Sequence, residues 1–167
     1  MSYSSGGWPL EKTHPGIGGR EGAISAKLAI ARRVDLLTRV PLFAALTGRQ
    51  RQAVARASAS YRWPAGSRIV IEGSKDQYCF VIVEGTVEVL KGDRRIATLG
   101  PGDVFGEIAL LDPGPRTATV KTVTDVLAVE LSRSNFLEVV GNDPKLLLRM
   151  LEALAHRIRE TTEALAP

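Results

Sequence analysis

Short apolar runs separated by glycine-containing turns fill the middle of the chain, from about residue 59 to residue 131. Turn sequences such as PAGS, EGSKD and KGD interrupt them, which is typical of strands joined by tight turns. The predicted strands are Tyr61–Trp63, Arg68–Ile71, Cys79–Glu84, Thr86–Leu90, Arg94–Leu99, Val104–Phe105, Ala118–Thr122 and Val126–Leu131. Eight short strands at this spacing predict a sandwich or jelly roll.

Helical patterns flank these strands. Apolar residues recur at helical spacing from Ala23 to Arg39, which predicts one amphipathic helix, and Thr47 caps a second helix that extends to about Ser58. After the strands, Ser132 caps a short helix, and the longest helix runs from Pro144 to about Leu165. The predicted fold class is therefore α+β, an eight-stranded β-roll (jelly roll) flanked by N-terminal helices and a long C-terminal helix.

These patterns divide the chain into four parts. Residues 1–22 are rich in glycine, serine and proline and show no periodicity, which predicts a disordered N-terminal tail. Residues 23–58 form the N-terminal helices, residues 59–131 the β-roll, and residues 132–167 the C-terminal helices.

Composition leaves several function classes without support. The net charge is +4, from 22 basic and 18 acidic residues, and no Lys/Arg run is dense enough to indicate a nucleic-acid surface. The chain has no run of eighteen apolar residues and no signal-peptide pattern, so no membrane association is expected. A single cysteine makes no intramolecular disulfide, and we expect a cytoplasmic protein.

An enzyme is not expected. Jelly-roll metal enzymes line the barrel with several histidines, whereas this chain has only His14 in the tail and His156 on the last helix. We therefore predict no metal site. The same two positions also allow no Ser/His/Asp or Cys/His set, and Glu107 has no second carboxylate in its predicted loop for acid–base catalysis.

One stretch, FGEIALLDPGPRTATV, carries the strongest indication of a ligand. Gly106 lets the backbone approach a ligand closely. The N–H groups of Ile108, Ala109 and Leu110 at a helix start favour an anion. Arg116 can pair bidentately with phosphate oxygens, and Glu107 can accept bonds from sugar hydroxyls. Together they predict a sugar-phosphate site. The alternative is that Glu107 only complements a helix terminus and Arg116 is a solvated charge.

This stretch, residues 105–120, resembles the phosphate-binding cassette of the cyclic-nucleotide-binding domain family, and is called the cassette below. The matching residues are Phe105, Gly106, Glu107, Ala109, Leu110, Pro115, Arg116, Ala118, Thr119 and Val120, and the resemblance extends over roughly residues 34–165. It implies that Glu107 binds the ribose 2′-hydroxyl and that Arg116 binds the cyclic phosphate. The implied ligand is cAMP, with cGMP as a second candidate, because a hydroxyl such as that of Thr117 is associated with tolerance of cGMP.

The resemblance also implies residues that contact the base. By alignment, Val89, Ala97 and Leu99 would form its apolar wall, although each can also be an ordinary core residue. In the family the last helix covers the purine, and some members lay an arginine from it on the base. Arg157 occupies that position, and the alternative is a solvated arginine.

The last helix also predicts an oligomer. Its apolar stripe alternates steps of four and three, as in a heptad seam, and a homodimer through Leu147, Leu151, Leu154 and Ile158 is expected. The alternative is that this stripe packs on its own domain.

Transcription regulators that the chain resembles continue into a helix-turn-helix domain, whereas this sequence stops at Pro167. We therefore expect a stand-alone cyclic-nucleotide sensor, without a nucleic-acid domain, that signals through an unidentified effector protein, unless the chain is a fragment. The alternative is a nucleotide-independent structural or interaction protein on the same fold.

Overall fold

Two antiparallel β-sheets form the centre of the computed structural model, which describes residues 22–165. The strands are β1 (Ile24–Ser25), β2 (Ala59–Trp63), β3 (Arg68–Val70), β4 (Tyr78–Glu84), β5 (Val87–Lys91), β6 (Arg94–Leu99), β7 (Val104–Phe105), β8 (Thr119–Thr122) and β9 (Val126–Ser132). One sheet has the order β1-β2-β9-β4-β7 and the other β3-β8-β5-β6. The predicted fold class is confirmed.

Helices cover the first sheet. They are α1 (Ile30–Leu37), α2 (Gly48–Ala57), α3 (Arg133–Val140) and α4 (Pro144–Ala164), with two 3₁₀ helices at Pro41–Ala45 and Glu107–Leu110. The predicted tail, residues 1–22, lies outside the described residues except for Gly22. The division into parts at residues 58 and 131 stays a prediction.

Side chains that alternate between the two faces of the central strands form two hydrophobic cores. In β4, Cys79 and Val81 join the core beneath the helices, whereas Phe80 and Ile82 point to the opposite face and join the core inside the β-roll. Because both faces of β4 are covered, its sequence is apolar from Cys79 to Val83 rather than alternating with polar residues. Inside the roll, Phe80 stacks on Phe105 with ring centroids 4.9 Å apart, next to the cassette.

The predicted helix from Ala23 to Arg39 is wrong in its first part. Residues Ile24 and Ser25 form the edge strand β1 on β2, and α1 begins only at Ile30. The backbone N–H of Ala26 donates to the Ser60 carbonyl (2.8 Å), and the Ser60 hydroxyl donates to the Ala26 carbonyl (2.6 Å). These bonds to the sheet satisfy the backbone there, so tertiary pairing overrides the helical pattern. The described part of the chain therefore has nine strands rather than eight.

The predicted cap of α2 is confirmed, and one of its side chains also contacts the N-cap residue of α4. Thr47 and Gln50 form a reciprocal capping box, and the Gln50 side-chain amide donates to Asp143 Oδ2 (3.1 Å). Asp143 in turn caps α4, because its Oδ1 accepts from the N–H of Leu146 (3.0 Å). That bond, supported by Gln50, lowers the pKa of Asp143. One contact thus ties the start of α4 to the N-terminal helices.

The apolar stripe of α4 is divided between the core and the surface. Leu147 and Leu154 pack against the core under the helices, as does the fully buried Met150. Leu151 and Ile158, by contrast, are 60% and 67% exposed. The stripe therefore packs partly on its own domain, and the predicted homodimer remains a prediction. Within residues 22–165 no helix is both long and apolar enough to cross a bilayer.

Candidate functional site

The cassette begins with a backbone conformation that only glycine accommodates here. Gly106 has φ 77° and lies between β7 and the 3₁₀ helix Glu107–Leu110. A Cβ at this position would lie 2.7 Å from both Nη1 of Arg116 and the carbonyl oxygen of Tyr78. A larger residue would therefore displace the arginine as well as strain the backbone.

The helical turn after Gly106 is tighter than predicted. The N–H of Ala109 donates to the Gly106 carbonyl (3.1 Å), so this N–H is not free for an anion as the sequence suggested. The reason is that a 3₁₀ turn bonds each N–H to the third residue before it, and uses its first donors sooner than an α-helix does. A bound anion would therefore depend mainly on the arginine.

Arg116 is only 9% exposed, which contradicts the alternative of a solvated surface charge. Its Nε and Nη2 both donate to Oδ1 of Asp76, at 2.8 and 2.5 Å, and Nη2 also donates to the Tyr78 carbonyl. Oδ2 of Asp76 accepts from the Ser74 hydroxyl (2.6 Å). These contacts leave Nη1 as the least engaged nitrogen, since its contact with the Gly106 carbonyl is long, at 3.5 Å.

The loop between β3 and β4 also fixes the backbone of the cassette. The N–H of Gly73 donates to the Arg116 carbonyl (2.8 Å), and the N–H of Arg116 donates to the Ser74 carbonyl (2.7 Å). Two residues of this loop thus hold the Arg116 peptide groups while Asp76 holds the guanidinium. The arginine is preorganised before any ligand arrives.

Glu107 has one engaged and one unengaged carboxylate oxygen. Oε1 forms an ion pair with Nη1 of Arg157 on α4, at 2.5 Å. Oε2 is buried and has no hydrogen-bond partner among the described residues, while the side chain as a whole is 14% exposed. A buried acceptor without a donor costs free energy until a ligand supplies one. A hydroxyl group has the chemistry to do so.

A cavity of about 340 Å³ joins these groups. Six of the predicted site residues line it, namely Gly106, Glu107, Ile108, Ala109, Arg116 and Thr117. Thr117 is exposed, and the Ile108 side chain is also largely exposed. A buried cation and an unpartnered carboxylate oxygen therefore belong to one cavity.

Comparison with known proteins supports the family resemblance of the cassette. A model of the cyclic nucleotide-binding domain matches residues 61–143. The crystal structure of the N-terminal domain of a transcriptional regulator from Streptomyces coelicolor A3(2) superposes with a TM-score of 0.69 at 31% identity, over 80% of this chain and 99% of that one. The chain belongs to the cyclic-nucleotide-binding domain family.

Two curated relatives represent different regulators within this family. The CRP-like cAMP-activated global transcriptional regulator of Mycobacterium tuberculosis is 29% identical over 137 residues, covering 79% of this chain and 61% of that protein. The cAMP-dependent protein kinase regulatory subunit of Aspergillus fumigatus is 36% identical over 107 residues, covering 63% of this chain and 26% of that protein. The chain thus spans about three fifths of the first relative and about a quarter of the second.

The residues predicted to face a base lie outside this cavity's lining. Val89 on β5 is paired with Ala97 on β6, and Leu99 is paired with Val87. Val89 and Leu99 pack against the core inside the β-roll, whereas Ala97 is exposed on an edge strand. Their contact with a base in this cyclic-nucleotide-binding domain remains a proposal.

Arg157 has a partner that the sequence did not indicate. The structure pairs it with the carboxylate of Glu107, and its predicted contact with a base stays a prediction. Its position along α4 could be read from the sequence, but its partner could not. Because the partner lies fifty residues away in the chain, spacing along the helix holds no information about it.

Sequence reasoning missed Asp76 altogether. It lies in the turn sequence EGSKD, where aspartate is common for reasons of turn geometry alone, and its partner Arg116 is forty residues away. Only the fold shows that its carboxylate faces the cassette arginine.

The single cysteine, Cys79, is buried. Burial raises the pKa of the Cys79 thiol well above its usual value, and the negative charge of Glu107 raises it further. Among residues 22–165, no group of three or more histidine, cysteine or acidic side chains could hold a metal ion.

Proposed function

We propose that this chain is a regulatory module that binds cAMP, with cGMP as a second ligand, in the cavity between Glu107 and Arg116. The observation that carries the proposal is the buried, preorganised guanidinium of Arg116 in the same cavity as the unpartnered Oε2 of Glu107. The cAMP-activated and cAMP-dependent relatives support the same ligand class.

The two ends of the cavity suit the two polar parts of the ligand. Arg116 provides a permanent positive charge, and in a buried site this charge favours an anion more strongly than it would in water. Nη1, its least engaged nitrogen, is the donor we assign to a cyclic phosphate oxygen. Oε2 of Glu107 then accepts from the ribose 2′-hydroxyl, while Oε1 keeps its bond to Arg157.

Base recognition would come from the surfaces beside the cassette. We assign the apolar contact to Val89, Ala97 and Leu99, and we assign to the Thr117 hydroxyl the bond that distinguishes guanine from adenine. Ile108 and Ala109 would pack against the ligand from the 3₁₀ helix. No catalytic role is proposed, because every assigned group binds rather than transforms the ligand.

The output would pass through another protein. Arg157 joins the ligand-binding carboxylate to α4, so occupancy of the cavity and the position of α4 are coupled. We propose that α4 forms a homodimer through Leu151 and Ile158, the exposed part of the predicted stripe, and that an effector protein senses this cytoplasmic module. A ligand that binds only one arrangement of α4 shifts the population toward it.

A thermal-unfolding series tests the proposal. The intact chain is heated with increasing cAMP, cGMP or 5′-AMP, the last of which has the same base and ribose but an open phosphate. At one hundred times the dissociation constant, a ligand adds about 2.7 kcal/mol of stability. We expect stabilisation by cAMP and, at higher concentration, by cGMP, with a smaller effect of 5′-AMP. No stabilisation by either cyclic nucleotide would favour a nucleotide-independent interaction protein.

A further inference from the structure

Both peptide groups that flank Thr117 are anchored from outside the cassette. The N–H of Gly73 donates to the carbonyl of Arg116 (2.8 Å), and Nζ of Lys91 donates to the carbonyl of Thr117 (2.9 Å). The Thr117 side chain is itself exposed and lines the cavity. Because the peptide on each side of its Cα is held, the direction of the Cα–Cβ bond is held as well.

Lys91 is fixed in turn by Glu72. Its Nζ lies 2.6 Å from Oε1 of Glu72, whose Oε2 accepts from the N–H of Gly92 (2.9 Å). The bond from Lys91, followed by that from Gly92, lowers the pKa of Glu72. The N–H of Glu72 donates to the Thr119 hydroxyl (3.0 Å), which ties Glu72 to the cassette as well. The ammonium group therefore has two fixed acceptors.

Lys91 also marks the place where the strand pair β5–β6 meets the cassette. It is the last residue of β5, which carries Val89, and β5 pairs with β6, which carries Ala97 and Leu99. These are the residues assigned to the base. The contact of Lys91 with Thr117 thus sets the position of the cassette relative to that wall.

We propose that Lys91 is a positioning residue for base selection, which acts through the Thr117 carbonyl to place the Thr117 hydroxyl. This inference rests on the proposed function, because a base must be bound for its identity to matter. The 2-amino group of guanine can donate to that hydroxyl, whereas adenine carries only hydrogen at the same carbon. A displaced hydroxyl should therefore affect cGMP more than cAMP.

Calorimetry with cAMP and cGMP on the full chain tests this inference in Lys91→Met, Lys91→Arg and Lys121→Met. We expect Lys91→Met to weaken cGMP about fivefold and cAMP less than twofold, since one charge-assisted bond is lost. Lys91→Arg keeps a donor and should restore most of the difference. Lys121→Met removes the same charge from β8, where the Lys121 side chain makes no hydrogen bond or ion pair within residues 22–165, and should change neither affinity.

A double-mutant cycle with Thr117→Ala identifies the route of the effect. In that background, Lys91→Met should no longer change the ratio of the two affinities. Since Lys91 is exposed, the variant should fold, and Lys91→Gln serves as the second variant if Lys91→Met does not. Equal losses for both nucleotides, an equal effect of Lys121→Met, or a ratio change that persists without the Thr117 hydroxyl would overturn the inference.

Binding measurements on the wild type distinguish a failure of this inference from a failure of the proposed function. A wild type that binds cAMP but not cGMP at millimolar concentration overturns only the role of Lys91 in base selection. A wild type that binds neither nucleotide overturns the proposed function, and base selection with it.

Discussion

Arg157 on α4 and Glu107 on the cassette form an ion pair of 2.5 Å across fifty residues of sequence. The pair uses one carboxylate oxygen and leaves the other, Oε2, buried without a partner among the described residues. A single side chain therefore contacts the last helix and the candidate ligand cavity at the same time. We expect this shared side chain to couple the position of α4 to occupancy of the cavity.

Removing this pair should weaken the nucleotide. In Arg157→Ala, Glu107 loses the contact that orients it, and we expect cAMP affinity to fall about two- to fivefold, because the pair is partly exposed. Arg159→Ala, an exposed neighbour on the same helix without an ion pair in the described chain, is the matched control. Tighter binding in Arg157→Ala would show instead that the arginine competes with the ligand for Glu107.

A truncation of α4 is a second test of the same coupling. Stopping the chain after Asp143 would remove Leu146 and Met150 from the core and would unfold the domain. Stopping after His156 removes Arg157 and, among the described residues beyond it, only exposed ones. Hydrogen exchange of residues 150–165 in the intact chain should slow when cAMP is added. Unchanged exchange, together with unchanged affinity of the truncated chain, would separate α4 from the site.

Arg116→Ala should abolish useful binding, because removing one partner of a desolvated charge pair costs about 2–5 kcal/mol. It should also lower stability, since the Asp76 carboxylate would be left buried and unpaired. Arg116→Lys keeps the charge without the planar fork and distinguishes the two effects. The exposed Arg94→Ala on β6 is the control. Wild-type affinity of either Arg116 variant for cAMP in calorimetry would falsify the placement of the phosphate.

Asp76→Asn should weaken cAMP about tenfold without touching the ligand, because the guanidinium loses its charged partner and its fixed orientation. Asp93→Asn, in the exposed turn between β5 and β6, removes the same charge and should have little effect. Both variants are compared by calorimetry after their unfolding temperatures have been measured. If Asp76→Asn bound cAMP as tightly as Asp93→Asn, the arginine would need no positioning.

The homodimer is best tested at the exposed part of the α4 stripe. Leu154 packs on the domain core, so a charge there would unfold the chain as well as block association. Leu151→Glu, by contrast, changes a residue that is 60% exposed and should convert a dimer to a monomer in light scattering. Ile96→Glu on β6 is the control, since that side chain is exposed to a similar degree. A wild type that is monomeric at high concentration would contradict the dimer.

Most of the fold could be predicted from the sequence because the hydrophobic patterns and the turn residues indicate the same elements. The apolar run of β4 and the glycine-containing turns on either side of it indicate a strand, whatever its neighbours in the sheet. The first helix was overextended for the opposite reason. Its amphipathic spacing fits a helix, but the edge of β2 offers Ile24 and Ser25 backbone partners that no local pattern shows.

The candidate site was predicted only as far as it is contiguous in sequence. Gly106, Glu107 and Arg116 lie within one stretch, so a single motif contains them. Their supports do not, because Asp76 and Arg157 approach from forty and fifty residues away. Side-chain contacts of this range depend on the packing of β4 and α4, and only the three-dimensional structure provides it.

The central claim is tested most directly by calorimetry in which a ligand hydroxyl and a protein carboxylate are altered separately and together. Wild type and Glu107→Gln are each titrated with cAMP and with 2′-deoxy-cAMP, which lacks only the hydroxyl assigned to Glu107. We expect wild type to lose about tenfold in affinity on removal of the hydroxyl, and Glu107→Gln to lose clearly less, since a bond to a charged acceptor is stronger than one to a neutral acceptor. Equal losses in the two proteins, or no binding of cAMP to the wild type, would contradict a cyclic nucleotide lying between Glu107 and Arg116.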